Sequence, residues 1–409
     1  MSLLRKTTCA VAAVAMFACF ASPASAAEPK PKKPLTQYWV SAATQNLSIP
    51  GMSQGEMTGL QGMILGKMTG VGPKRTLLLQ LGAPGTPPAA PEATHDIPPG
   101  LEMGKTLPLL IPERERPARG EEPQERKAEK PRVRMLFYWG CSEAVRPGQP
   151  RVLDTEKMSM ADFGRAMAGR SGSGPAPPSP RSGWAYAEWP NRQDQKDVPK
   201  SGSLTGAHFV HGNYSPEIKF SVGERHDFMA PVEFTSVRGG LADSIAFEWK
   251  TIPTAIGYFA MAVGHSEKTG ETILWSSSDA QEPGYGLMGY LPPADVNRFI
   301  RDRVVMGPAV TSCRIPRGIF KEAGGAALQF IGYGDELNIA WPPKPKDPKI
   351  PHEYVWAVKL RNKSTGMLPL GQEGAGQERP AKEKQPAEER PESPTDKMKK
   401  TLDTIRGLF

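Results

Sequence analysis

Residues 244–263 read SIAFEWKTIPTAIGYFAMAV. A strand over Ser244–Ile252 stops at Pro253, and a second, apolar throughout, resumes over Ile256–Val263. Working outward, the same short runs rich in Leu, Val and aromatics recur at Gln37–Ala43, Arg75–Leu81, Arg134–Cys141, Ser203–Val210, Glu217–Val222, Val232–Val237, Thr272–Ser277, Ala326–Tyr333 and Tyr354–Leu360. In the last, Tyr354, Trp356, Val358 and Leu360 alternate with Val355, Ala357 and Lys359, the period of a strand with one buried face. Arg134–Cys141 (RMLFYWGC) is apolar on both faces and reads as a central buried strand. Short strands separated by Gly, Pro, Asn and Asp predict a mainly β fold, an antiparallel β-sandwich. Before the tail, helical signals are few: Pro293–Arg303, where Val296, Phe299 and Ile300 share a face, and the weaker Lys157–Met167.

Within the opening stretch, Trp249, Pro253, Ala255, Gly257 and Tyr258 resemble the second-to-third-strand passage of fibronectin type III and related immunoglobulin-like domains. The resemblance implies a sandwich in which Trp249 fills the space between sheets and Pro253 and Gly257 shape the turn into a strand opening with Tyr258. The whole chain also resembles exported proteobacterial proteins of unknown function, which implies no activity.

Met1–Ala26 has the basic, apolar, small-residue order of a cleavable secretory signal peptide: Arg5 and Lys6, then the apolar run Ala10–Phe20, then Ala24 and Ala26. The mature chain is therefore expected in the periplasm or outside the cell. Cys19 lies in a poor context for lipid attachment. Loss of Arg5 and Lys6 lowers the net charge from +8 to +6, and acids are interspersed with the bases, so charge does not point to nucleic acid. Of the four cysteines, Cys9 and Cys19 leave with the signal. Cys141 and Cys313 remain either as a disulfide, the commoner fate in an oxidising compartment, or as two separate buried thiols.

The 43 prolines, 42 glycines and 38% apolar content require linkers. Three are expected: a charged insert over 112–132, a flexible Gly/Ser/Pro linker over 169–183, and a disordered tail over 371–394. They divide the chain into an N-terminal β-rich domain, 35–167, and a C-terminal sandwich domain, 184–366. After the tail, residues 395–409 read as a short amphipathic helix. Ser393-Pro394-Thr395-Asp396 opens it, Met398, Leu402, Ile405 and Phe409 form one stripe, and Lys397, Lys399, Lys400 and Arg406 lie off that stripe. Such a helix suits docking to a partner or a weak peripheral membrane contact.

The metal- and thiol-based signatures HExxH and CxxC and a calcium loop are missing from the sequence. Gly62–Lys67 lacks the spacing of a phosphate loop. His208 and His211 are three apart, which on a strand places them on opposite faces; only an intervening turn would gather them with His226 and Asp227 around zinc. Met52, Met57, Met63 and Met68 alternate with glycines, a pattern open to soft Cu(I) ligation but more typical of an adaptable contact loop. Trp184, Tyr186 and Trp189 are candidates for an aromatic binding surface, with core anchoring the commoner use. Asn46, Asn213 and Asn362 lie in Asn-x-Ser contexts.

These readings add up to an exported, non-catalytic envelope binding or scaffolding protein without a cofactor, partnered by an envelope protein or polysaccharide. A polysaccharide hydrolase is the alternative, because two carboxylates can converge from distant strands without a local signature. Periplasmic copper or zinc handling ranks third.

Overall fold

The computed structural model describes residues 36–48, 72–113, 132–347, 350 and 353–371. The expected signal peptide, the Met/Gly segment through residue 71, most of the charged insert, the tail and the stripe Met398, Leu402, Ile405 and Phe409 lie outside the described residues.

Nine strands form one open sheet. From edge to edge these are β6 (Arg151–Asp154), β5 (Arg134–Trp139), β13 (Glu271–Ser276), β12 (Gly257–Ser266), β15 (Gly325–Trp341), β16 (Trp356–Leu370), β1 (Thr36–Leu47), β2 (Lys74–Pro84) and β7 (Trp184–Trp189). A four-stranded sheet runs β4 (Thr106–Pro108), β3 (Ala93–Asp96), β8 (Gly206–Gly212), β9 (Ile218–Val222). A three-stranded sheet runs β10 (Phe234–Arg238), β11 (Ile245–Trp249), β14 (Ser312–Ile315). Among the described residues there are two α-helices, α1 (Met160–Ala168) and α2 (Pro293–Arg301). The protein is mainly β.

β16 explains how the layers stack. Its even-numbered residues, Trp356 to Leu370, are all buried, and the odd ones are only partly so. Trp356, Val358 and Leu360 pack with Val210, Ile218 and Phe220 of the four-stranded sheet. Leu368 and Leu370 join the cluster of Ile245, Phe247 and Trp249 from the three-stranded sheet. Strict alternation puts these even residues on one face, so both small sheets cover the same side of the large one. On the far side, Phe259, Met261, Leu274, Ile331 and Tyr333 pack against Val296 and Phe299 of α2.

Several expectations need correction. The ladders are not all antiparallel, because β1 runs parallel to β16 and β5 parallel to β13. The proposed division at 169–183 does not separate sheets: β1, β2, β5 and β6 share one ladder with β12, β13, β15 and β16. β5 is second from an edge rather than central. It reads as apolar on both faces because both are covered, Met135 and Phe137 on the α2 side and Leu136 and Tyr138 on the other.

The segment 169–183 is not a free linker. Two buried acids hold its start. Glu282 accepts the Arg170 backbone N–H at 2.9 Å and its guanidinium at 3.2 Å, and Asp295 accepts the Ser173 N–H and hydroxyl at 2.6 and 2.9 Å. Further on, the Pro178 carbonyl accepts from Gln80 Nε2 at 3.2 Å. Composition described the entropy of this strap but not the carboxylates, more than a hundred residues away, that offset it. Cys141 and Cys313 are joined by a disulfide, which ties the end of β5 to β14.

Candidate functional site

The far face of the sheet carries its charge beside α2, where β16 and β1 run in parallel. Lys359, Arg361 and Lys363 occupy successive odd positions of β16, so all three side chains stand on this face. Their partners on β1 are Trp39, Ser41 and Ala43. On the other flank, β15 shifts register between Tyr333 and Glu336. This irregularity brings Glu336 opposite Arg361, where regular pairing from Tyr333 would place Asp335. Tyr290, from the turn leading into α2, completes the group.

The contacts form a ladder of cations and rings. The Arg361 guanidinium lies 4.9 Å from the Trp39 ring centroid and 4.3 Å from that of Tyr290. The Lys359 ammonium sits 5.4 Å from Trp39, and that of Lys363 4.8 Å from Tyr290. Arg361 Nε donates to Ser41 Oγ at 2.9 Å, Lys363 Nζ to the Met288 carbonyl at 3.1 Å, and Lys359 Nζ to Glu336 Oε2 at 2.6 Å. Trp39 is 5% exposed. The neighbouring Gln80, opposite Trp39 on β2, is buried with its Oε1 unpartnered among the described residues.

The electrostatics are unbalanced. Three cations face one carboxylate, and Glu336 is already bonded to Lys359. Among the described residues no carboxylate forms a salt bridge with Arg361 or Lys363. Burial pulls the Arg361 pKa down against the opposing pull of Tyr290 and Glu336. Burial, and then the charge of Arg361, lower that of Lys363. Burial pushes the Tyr290 phenol up to about 12, so it stays a hydroxyl at physiological pH. Half-buried cations without a counter-ion cost stability, and a bound anion would relieve that cost. With Nε held by Ser41, the two terminal guanidinium nitrogens of Arg361 form the edge suited to a bidentate oxyanion.

The other residues named from sequence fall elsewhere. Trp189 is in the core against Leu79 and Val210, 1% exposed, whereas Tyr186 is on the far face, also buried, bonded to Glu188 and Gln80. Trp184 is half-buried beneath the Arg181 guanidinium, 3.5 Å from its ring. The three therefore form no single aromatic surface, because strand alternation sends Trp189 the other way. His208 faces the core and His211 the outside, where it meets Asp96 at 3.2 Å. Asp227 is taken by the Leu204 and Phe228 N–H groups and the Ser203 hydroxyl. No group of three His, Cys, Asp or Glu with metal-binding geometry exists among the described residues.

Sequence reasoning missed a buried relay. Tyr38 Oη lies 2.8 Å from His95 Nδ1, His95 Nε2 2.9 Å from His208 Nδ1, and His208 Nε2 2.7 Å from the Leu204 carbonyl. The carbonyl only accepts, so His208 donates from Nε2, His95 donates to His208, and Tyr38 donates to His95. This direction of donation is that of two uncharged rings. Burial depresses both pKa values, that of His95 further because of His208.

Arg361, Lys363, Trp39 and Tyr290 were also missed. Lys359, Arg361 and Lys363 alternate visibly in KLRNK, but the strand was expected to end at Leu360. Searches against protein-family models and curated proteins find no match to this chain. No described helix is long and apolar enough to cross a membrane.

Proposed function

We propose that this chain is an exported, non-catalytic binding module of the cell envelope that captures an anionic polysaccharide on the far face of its large sheet, at Arg361, Lys363 and Tyr290. The observation that supports this reading most is the pair of half-buried cations that form no salt bridge among the described residues, flanked by aromatic rings. A uronic-acid residue matches that chemistry: its carboxylate meets the Arg361 edge and Lys363, and its ring lies against Tyr290. Met1–Ala26 supports export, with the mature chain periplasmic or extracellular. A sandwich of immunoglobulin-like type is the finer description we infer, supported by the small sheets on one side of the large one and by the Trp249–Tyr258 passage between them.

The buried acids Glu282 and Asp295 bind backbone and side-chain donors of the strap, which favours binding over hydrolysis. The test is calorimetric titration of the mature protein with oligogalacturonate and with a neutral glucan of equal length. Binding of the acidic oligomer alone, weakened at least tenfold by Arg361→Gln with Lys363→Gln, is expected. Equal binding of both polymers, or no effect of the double substitution, overturns the proposal.

A further inference from the structure

The hairpin joining β15 to β16 carries apolar groups out into solvent. Trp341 is 53% exposed, Val355 42% and Ile350 55%, among the largest exposures of any hydrophobic side chain described. Trp341 and Val355 meet across the last backbone bond of the hairpin, Val355 N–H to the Trp341 carbonyl at 2.7 Å. Trp341 also lies near-parallel to Trp356, centroids 6.4 Å apart. Its ring thus continues the buried row of β16 outward beyond the core. Between these residues the chain reads PPKPKDP over 342–348. Pro342, Pro343 and Pro345 restrict the backbone where the chain leaves Trp341. Lys344 and Lys346 are exposed beside them, and over 342–354 three lysines stand against two acids, Asp347 and Glu353, a net charge of +1.

Tryptophan with exposed aliphatic neighbours and a lysine margin is the chemistry of a bilayer interface: the indole settles at the headgroup level, the aliphatic groups below it, and the ammonium groups meet lipid phosphates. The net positive charge of the rim selects an anionic surface. We propose that this hairpin tip is a membrane-docking device that inserts Trp341, Ile350 and Val355 into the interface of a leaflet rich in anionic lipid. It acts independently of the polysaccharide site, which lies on the far face of the sheet, and of the C-terminal amphipathic segment.

Co-sedimentation of the full mature chain with phosphatidylcholine vesicles, with and without phosphatidylglycerol, tests this. Binding is expected only with phosphatidylglycerol. Trp341→Ala with Ile350→Asn should weaken it about tenfold, as should Lys344→Glu with Lys346→Glu, a pair of exposed positions where charge reversal leaves the core untouched. Leu402→Asp with Ile405→Asp in the tail should leave most of the binding in place. No binding to the anionic vesicles, binding unchanged by both hairpin variants, equal binding to the two vesicle types, or loss of binding through the tail variant would each overturn the proposal. So would capture of a polypeptide at the tip without any vesicle association.

Discussion

The ring of Trp249 on β11 meets the ring of Tyr258 on β12 edge to face, centroids 5.7 Å apart, across the seam between the three-stranded and nine-stranded sheets. The Tyr258 hydroxyl turns back to accept the Ile252 N–H at 2.9 Å, pinning the turn that carries the chain between the sheets. Trp249 also packs on Phe330 of β15 and Phe247 of its own strand.

Trp249→Ala should therefore destabilise the fold by about 3–5 kcal/mol, the range for removing a large buried aromatic. Tyr258→Phe keeps the ring but strands the Ile252 N–H, at a cost of about 1–3 kcal/mol. Urea unfolding of both variants checks the order; a larger loss for Tyr258→Phe would show that the turn matters more than the seam.

The Cys141–Cys313 bridge spans 172 positions of sequence. Cys141→Ser with Cys313→Ser should lower stability by about 2–5 kcal/mol, read as a shifted denaturation midpoint. Reduction of the unaltered protein should produce a shift of the same size.

Stability should fall as the solution is acidified. His95 and His208 are held neutral by burial, so their folded pKa values lie below the unfolded value of about 6.5. Above about pH 6.5 neither state binds protons there, and the contribution is fully present. Below it the unfolded chain takes up protons that the folded one refuses, and stability drops by up to about 1.4 kcal/mol per pH unit for each histidine until the folded pKa is reached. Denaturant midpoints between pH 7.5 and 5.5 measure the slope, and His95→Gln should flatten it.

The strap 169–183 should be protected from proteolysis. Glu282→Gln weakens the charge-assisted bonds to Arg170, and Asp295→Asn those to Ser173. Each should speed tryptic cleavage at Arg170 or Arg181 several-fold while leaving most of the fold intact. Equal cleavage rates in variant and parent would mean that the two acids do not hold the strap.

Strand identity was legible at most of the longer apolar runs, as for Gly257–Ser266 and for the first half of Gly325–Trp341, expected to end at Tyr333. It was not legible for Ala93–Asp96, Thr106–Pro108 or Arg151–Asp154, three or four residues each, too short for a period to register. β16 was seen only to Leu360. Its continuation through RNKSTGM buries Asn362 and Ser364 on the core face, and polar residues there hide the alternation.

Local patterning thus determined on its own that the fold is mainly β, that Pro293 begins a helix, and where most of the longer strands lie, because side-chain period and backbone propensity act between near neighbours. Tertiary structure alone decided that residues on both sides of the Gly/Ser/Pro stretch build one sheet, that this stretch docks on buried carboxylates, and that Trp39, Tyr290 and Arg361 meet. Those outcomes depend on contacts between residues tens to hundreds of positions apart, whose charge and hydrogen-bonding balance exists only once the strands have paired.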